Sequence, residues 1–143
     1  MFSISTLTDL VEGRWTGPTP GRGPEVVAHD TRHPLREGLF VAIAGAHQDG
    51  HDLLEQAQAA GATMAMVTRP MDHPLPQLVV EDALVAIARL AAAWRHRLTS
   101  TRVIAITGTA GKTSTKDLLH HVLGSRLRDR PAPLPGTTPS AAP

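Results

Sequence analysis

The chain has 143 residues, enough for one domain or for a small domain with part of a second. A net charge of +1, with Lys and Arg scattered along the chain, excludes a basic nucleic-acid-binding stripe, and the absence of Cys excludes disulfides and thiolate metal sites. Hydrophobic residues make up 41% but aromatics only 3%, so a packed core has to rest on Ala, Val, Leu and Ile. No apolar run reaches the ~20 residues that span a bilayer. The opening segment MFSISTLTDLVEGR lacks the basic-then-apolar order of a signal peptide. These features lead us to expect a soluble cytoplasmic protein with no nucleic-acid partner and no membrane insertion.

Ser5 to Val11 reads as a short helix with Leu7, Leu10 and Val11 on one side. The Gly/Pro-rich stretch from Gly13 to Pro24 reads as loop. Glu25 to His29 is a short strand, broken by Asp30-Thr31-Arg32-His33-Pro34, and the apolar run Leu39 to Ala44 is a buried strand between Gly38 and Gly45. Gly50 to Ala60 has helical spacing, with Gly61 as its stop. Met64 to Thr68 and Gln77 to Glu81 are further strands. Asp82 caps a long helix to Leu98 that carries Leu84, Ile87, Ala88, Ala91 and Trp94. Val103 to Thr107 is another apolar strand, followed by a helix from Lys112 to Leu123.

Strands interleaved with helices define an α/β fold. The expected division is a small α/β domain over residues 1–98, the opening strand–loop–helix of a second domain over 99–123, and a Pro-rich, disordered tail over 124–143.

The chemistry concentrates at Gly108-Thr109-Ala110-Gly111-Lys112-Thr113-Ser114. A β-branched apolar strand leads into a glycine turn, whose backbone N–H groups can cradle phosphate oxygens. Lys112 adds positive charge against the terminal phosphates, the Thr113 hydroxyl is placed to ligate Mg²⁺, and the next helix directs its positive end at the same anion. The general pattern G-x-x-x-x-G-K-[ST] has glycine where this chain has Ile106, so the variant here is G-T-x-G-K-T. ATP with Mg²⁺ is the expected ligand.

The stretch Val103 to Asp117 resembles the ATP loop of the Mur ligases, the ATP-dependent amide ligases of peptidoglycan synthesis. Three more segments agree in order. His29-Asp30-Thr31-Arg32 resembles their D-[ST]-R element, Gly38 to Ile43 resembles their G-D-x-F-V-A strand, and Gly45 to Asp52 resembles their substrate-contacting loop. The Ala83 to Arg95 helix and Thr115-Lys116 favour the branch that adds D-alanyl-D-alanine to a UDP-N-acetylmuramoyl (UDP-MurNAc) tripeptide.

The resemblance covers about residues 1–123 and implies a UDP-sugar-binding first domain and the phosphate loop of a central ATPase domain. It implies that a carboxylate is phosphorylated to an acyl phosphate and then attacked by an amine. By the same resemblance, Thr31 and the Ala46-His47-Gln48 turn contact the UDP-MurNAc-peptide substrate, and Gly108 to Ser114 bind ATP. Asp117 and Asp129 are the only carboxylates after Thr113, and neither ends an apolar strand. The expectation is therefore a truncated chain that is inactive in ligation alone. A stand-alone UDP-sugar-binding module and an unrelated phosphate-loop protein are the alternatives.

Other residues admit plainer readings. His47 and His51 have a spacing that zinc can use, but Asp49-Gly50 favours a turn between them and no third ligand is evident. Arg32 fits either a phosphate contact or a surface ion pair. Trp94 reads as core, and His120-His121 as a solvated pair.

Overall fold

The computed structural model describes residues 2–46 and 48–127. The chain divides into two compact units, Met1–Thr99 and a second that begins at Ser100. In the first unit the elements are α1 (Ile4–Val11), β1 (Arg14–Thr16), β2 (Val27–Ala28), β3 (Gly38–Val41), a 3-10 turn (Gly50–Leu53), α2 (Leu54–Ala59), β4 (Ala62–Val67), β5 (Gln77–Val79) and α3 (Ala83–Arg97). The second unit has α4 (Lys112–Leu127).

The strands form one five-stranded sheet in the order β1-β5-β4-β3-β2. β2, β3, β4 and β5 are parallel to their neighbours, and β1 closes the other edge antiparallel to β5. Every residue of β3 is buried, as a central parallel strand covered on both faces must be. Alternation decides which layer each side chain joins. Leu39, Val41, Met64, Met66 and Leu78 pack with Leu7 and Val11 of α1 and Ala83, Ala86 and Leu90 of α3. Phe40, Ala42, Ala65 and Val67 point the other way, against Leu54 and Ala57 of α2 and Leu35 and Leu75. The first unit is thus a helix–sheet–helix sandwich, with a core built from aliphatic residues and few rings.

The polar groups that enter this core are matched. Gln77 is 4% exposed, and its side chain accepts from Met71 N (2.8 Å) while donating to the carbonyls of Met71 (2.8 Å) and His73 (3.2 Å). It thereby staples the loop between β4 and β5. Among the described residues no buried side-chain polar atom lacks a partner.

Four elements differ from the sequence reading. Arg14–Thr16, read as loop, is an edge strand. Trp15 lies on the core, and its Nε1 donates to Thr8 Oγ1 (2.8 Å). Three residues are too few for an alternation signal, and the open edge of β5 recruits them. On α3, Asp82 caps as expected, accepting from Leu84 N (2.7 Å) and Val85 N (3.0 Å). The buried stripe, however, is Ala83, Ala86 and Leu90, while Leu84 is 61% exposed and Ala88 and Ala91 face solvent. A segment reading LVAIARLAAAW is apolar nearly all round, so the pattern cannot select a face and the packing against α1 does.

Trp94 is likewise only partly covered, with its ring edge-to-face with Phe2 at 5.8 Å. Finally, Val103 to Thr107 is not a strand. It has no ladder partner among the described residues, and Val103 and Ile104 remain 58% and 60% exposed. α4 runs to Leu127, so residues 124–127, assigned to the tail, are helical. The rest of that tail, 128–143, lies outside the described residues.

A fragment of residues 1–99 is expected to unfold in one cooperative urea transition. Within it, Leu78→Ala, at a fully buried site, should cost about 2–5 kcal/mol, whereas Leu84→Ala on the solvent side of α3 should stay within about 0.5 kcal/mol. A non-cooperative fragment, or equal costs at the two sites, would contradict the packing described.

Candidate functional site

In the first unit the parallel strands all point their carboxyl ends to one edge of the sheet, the edge where open α/β sheets bind ligands. Asp30-Thr31-Arg32 follows β2, the turn from Gly45 to Asp49 follows β3, and Thr68-Arg69 follows β4. Because β2, β3 and β4 are successive neighbours, the segments that carry Thr31, Ala46 and Gln48 leave the sheet from this same edge. Thr31 is half-buried, and Ala46 and Gln48 are exposed. His47, the remaining residue expected to contact substrate, lies outside the described residues.

Each loop is held by a carboxylate–guanidinium pair. Asp30 Oδ1 accepts from Arg32 N (3.0 Å), which bends the chain at Thr31, and both carboxylate oxygens take the guanidinium, the closest contact being Arg32 Nη2 to Oδ2 at 2.6 Å. Arg32, left open between a phosphate contact and an ion pair, is therefore engaged by Asp30 in this structure while its side chain stays 85% exposed. The Arg32 side chain, then its backbone N–H, holds the Asp30 carboxyl well below the usual carboxylate range.

The second loop is closed by backbone bonds from Gly45 N to the Gln48 carbonyl (3.0 Å) and from Gly50 N to the Ile43 carbonyl (2.9 Å). Glycine is required at 50, since a Cβ there would meet Ile43 N at 2.6 Å and Ile43 O at 2.8 Å. Asp49 Oδ2 accepts from Arg69 Nη2 (2.7 Å), and Oδ1 accepts from His51 N (2.9 Å) and meets His51 Nδ1 (2.6 Å). Arg69, then the His51 N–H, then the His51 ring, lower the Asp49 pKa strongly. The far ring nitrogen, His51 Nε2, accepts from Thr68 N (3.0 Å) and meets Thr68 Oγ1 (3.1 Å).

Both ring nitrogens of the buried His51 are thus occupied. Asp49 and His51 lie in the segment that resembles the substrate-contacting loop, but their association with Thr68 and Arg69 is not expected from sequence. Its signal was an Asp-x-His in the turn after one apolar strand and a Thr-Arg at the end of the next.

In the second unit the expected phosphate residues form a loop with its own geometry. Gly108 (φ +147) and Gly111 (φ +78) occupy backbone conformations that favour glycine; nothing lies within 4 Å of a Cβ at Gly111, so conformation rather than space is the reason there. Lys112 Nζ donates back to the Gly108 carbonyl, closing the loop through Thr109 and Ala110. Thr115 N (2.9 Å) and Thr115 Oγ1 (2.8 Å) both donate to the Gly111 carbonyl. That bond is the first of the helical ladder, so the N–H groups of Lys112, Thr113 and Ser114 have no helical carbonyl behind them. Three such donors at the positive end of α4, next to an ammonium group, suit an anion with several oxygens. Thr113 is exposed in the same turn. His120 and His121 are exposed further along α4.

Comparison with known proteins gives the class first. No family model matches the chain. Its relatives are nevertheless Mur ligases, and over most of its length the chain belongs with that family. The UDP-N-acetylmuramoyl-tripeptide–D-alanyl-D-alanine ligase of Escherichia coli is 40% identical over 121 residues, 85% of this chain and 26% of the relative. Among solved structures, MurF from Acinetobacter baumannii superposes with a TM-score of 0.77 at 35% identity, over 88% of this chain and 28% of that one. The MurF ligase of Thermotoga maritima in complex with ADP gives a TM-score of 0.59 at 27% identity, over 70% and 23% of the two chains. The chain therefore spans about a quarter of the length of these relatives.

The two depressed carboxylates set an acid limit. Each contributes stability that is fully present above its unfolded pKa of ~3.9 and lost as pH falls toward its lower folded value. Urea midpoints measured from about pH 5 down to about pH 2 should fall less steeply in Asp30→Asn and in Asp49→Asn than in the unaltered chain. Identical slopes would show that these ion pairs make no contribution to stability in solution.

Proposed function

We propose that this chain supplies the UDP-sugar-binding and phosphate-binding portions of an ATP-dependent ligase that joins D-alanyl-D-alanine to UDP-MurNAc-tripeptide in peptidoglycan precursor synthesis. The observation that supports this reading is that the segments carrying Thr31 and Gln48 follow β2 and β3, which are adjacent and parallel. Residues 1–98 are assigned the nucleotide-sugar end of the substrate, and 99–123 the nucleotide.

The hydroxyl of Thr31 and the amide of Gln48 offer the donors and acceptors that a uridine or sugar requires. For the nucleotide, Gly108 to Ser114 and the ammonium of Lys112 hold the phosphates, and the Thr113 hydroxyl is assigned to Mg²⁺. The T. maritima relative with ADP supports a nucleotide in this family. ATP supplies the phosphoryl group that activates a carboxylate for attack by an amine. Lys112 has to leave the Gly108 carbonyl to meet it, exchanging a neutral acceptor for a charged one, which forms the stronger hydrogen bond. The setting we assign is the cytoplasm; among the described residues no helix is long and apolar enough to cross a membrane.

A second reading, a UDP-sugar-binding module without catalysis, is favoured by the self-contained core of Met1–Thr99. It shares the first binding step. Both readings expect no ligation from these residues alone, which span about a quarter of the length of the ligases they resemble.

Calorimetric titration of the purified chain tests the shared step. UDP-MurNAc-tripeptide should bind, and Gln48→Ala should weaken it several-fold, as loss of one ligand hydrogen bond worth about 0.5–1.5 kcal/mol requires. ATP should bind with an affinity that Lys112→Ala removes, and Thr113→Ala should lower it more with Mg²⁺ than without. Absence of heat with the UDP-sugar at millimolar concentration would overturn the first assignment, and undiminished ATP binding in Lys112→Ala the second. Pentapeptide formation by the chain alone, lost in Lys112→Ala, would overturn the expectation of no ligation.

A further inference from the structure

The UDP-sugar reading leaves one buried group unused. His51 is 1% exposed, in the 3-10 turn that follows the proposed substrate loop, and its ring spans from that loop to the end of the neighbouring strand. Its hydrogen bonds fix its tautomer. A backbone N–H can only donate, so Thr68 N, at 3.0 Å, requires a lone pair on Nε2. The proton of the neutral ring then sits on Nδ1, where it is donated to Asp49 Oδ1 at 2.6 Å. Asp49 uses its other oxygen for Arg69, whose side chain is 53% exposed. Thr68 and Arg69 are consecutive, so the chain of bonds from Thr68 through His51 and Asp49 to Arg69 returns to its starting segment as a closed ring of contacts.

From this arrangement we infer that His51 is a positioning residue, which in its Nδ1–H form locks the turn after β3 to the end of β4 and holds Gln48 and the Arg69 guanidinium in place for a UDP-sugar. The inference rests on the functional reading above. The lock joins elements that the sheet leaves independent, since β4 ends at Val67 and β3 at Val41, and both loops lie beyond the last paired strand residues. Arg69 has three nitrogens and gives one, Nη2, to Asp49. The remaining N–H groups, on a side chain more than half exposed, suit a diphosphate at the same edge as Thr31 and Gln48. His51 reaches neither solvent nor ligand, and so acts only through Asp49 and Thr68.

The test uses the full chain. ¹⁵N-histidine NMR should find Nδ1 protonated and Nε2 unprotonated at His51, and a protonated Nε2 would overturn the inference. Amide exchange at Gly45 and Gly50, whose N–H groups close the loop, should speed up at least tenfold in His51→Gln, which keeps an acceptor toward Thr68 but loses the donor toward Asp49. Should His51→Gln fail to fold, Asp49→Asn and Arg69→Met carry the test, since both alter the partly exposed arm of the lock.

With UDP-MurNAc-tripeptide as probe, Arg69→Met should raise Kd at least tenfold, and Arg69→Lys should recover part of that loss. Both should melt within a few degrees of the unaltered chain; a merely structural role would lower the melting temperature and leave Kd of the folded protein unchanged. Kd within twofold of the unaltered value in both Arg69→Met and Asp49→Asn would overturn the inference. If the unaltered chain binds no UDP-sugar, the functional reading fails by itself. The positioning role is then decided by exchange at Gly45 and Gly50: acceleration in the variants supports the lock, and unchanged exchange refutes it.

Discussion

The first unit depends on the pairing of β3 with β4. Apart from Thr63, both strands are buried, so their backbone N–H and C=O groups have no water and must bond within the sheet. The register that satisfies them sets Leu39 beside Met64, Phe40 beside Ala65 and Val41 beside Met66. A slip by one residue would turn every one of these side chains to the opposite layer. Large Met64 and Met66 would then meet α2, where Ala65 now makes room, and the α1–α3 side would lose its filling. Packing on two faces thus fixes one register, and the register fixes where each strand ends.

Where the strands end, the polar chemistry begins. A parallel sheet delivers its carboxyl ends to one edge, and the loops that leave it carry backbone groups that no ladder satisfies. Here side chains satisfy them: Asp30 takes the N–H of Arg32, Asp49 that of His51, and His51 that of Thr68. The magnitudes separate two jobs. An exposed ion pair such as Asp30–Arg32 adds little to stability, because water and salt screen it and both side chains lose freedom, whereas truncating one buried leucine costs about 2–5 kcal/mol. The ion pairs therefore do little to hold the unit folded. Their effect is to restrict the loops to one geometry, which is what a recognition edge needs.

The legible part of the fold was the part with a strong period. The buried strand at Leu39, the strands at Met64 and Gln77, the Asp82 cap and the Gly61 stop (φ +100) are all local or high-contrast signals, and the structure has each within a residue or two at its start. Arg14–Thr16 was illegible because three residues carry no period; pairing with β5, more than sixty positions away, makes it a strand. The inward face of α3 was illegible because its sequence is too uniformly apolar to have a preferred side. At the candidate site, Thr31, Ala46 and Gln48 come from family resemblance, and the sheet order puts the segments that hold them after adjacent parallel strands. The His51 lock was hidden because it depends on Thr68 N, a backbone group whose position follows only once β3 and β4 are paired.

The same distinction between local and distant bonds explains the second unit. Its Gly108–Ser114 loop is built from contacts no more than four residues apart: Lys112 to Gly108, and Thr115 to Gly111. Two glycines at positive φ and a helix start suffice to form it, so the loop takes shape from its own sequence. Val103 to Thr107 is different. A strand has no internal hydrogen bonds, and its β-branched run becomes a strand only against neighbours. Among the described residues it has none, and its apolar side chains stay exposed. α4 has the same need, since Leu118 is 64% exposed. The loop takes its geometry from local chemistry alone, whereas the apolar run before it and the apolar positions of the helix after it need packing that local bonds cannot provide.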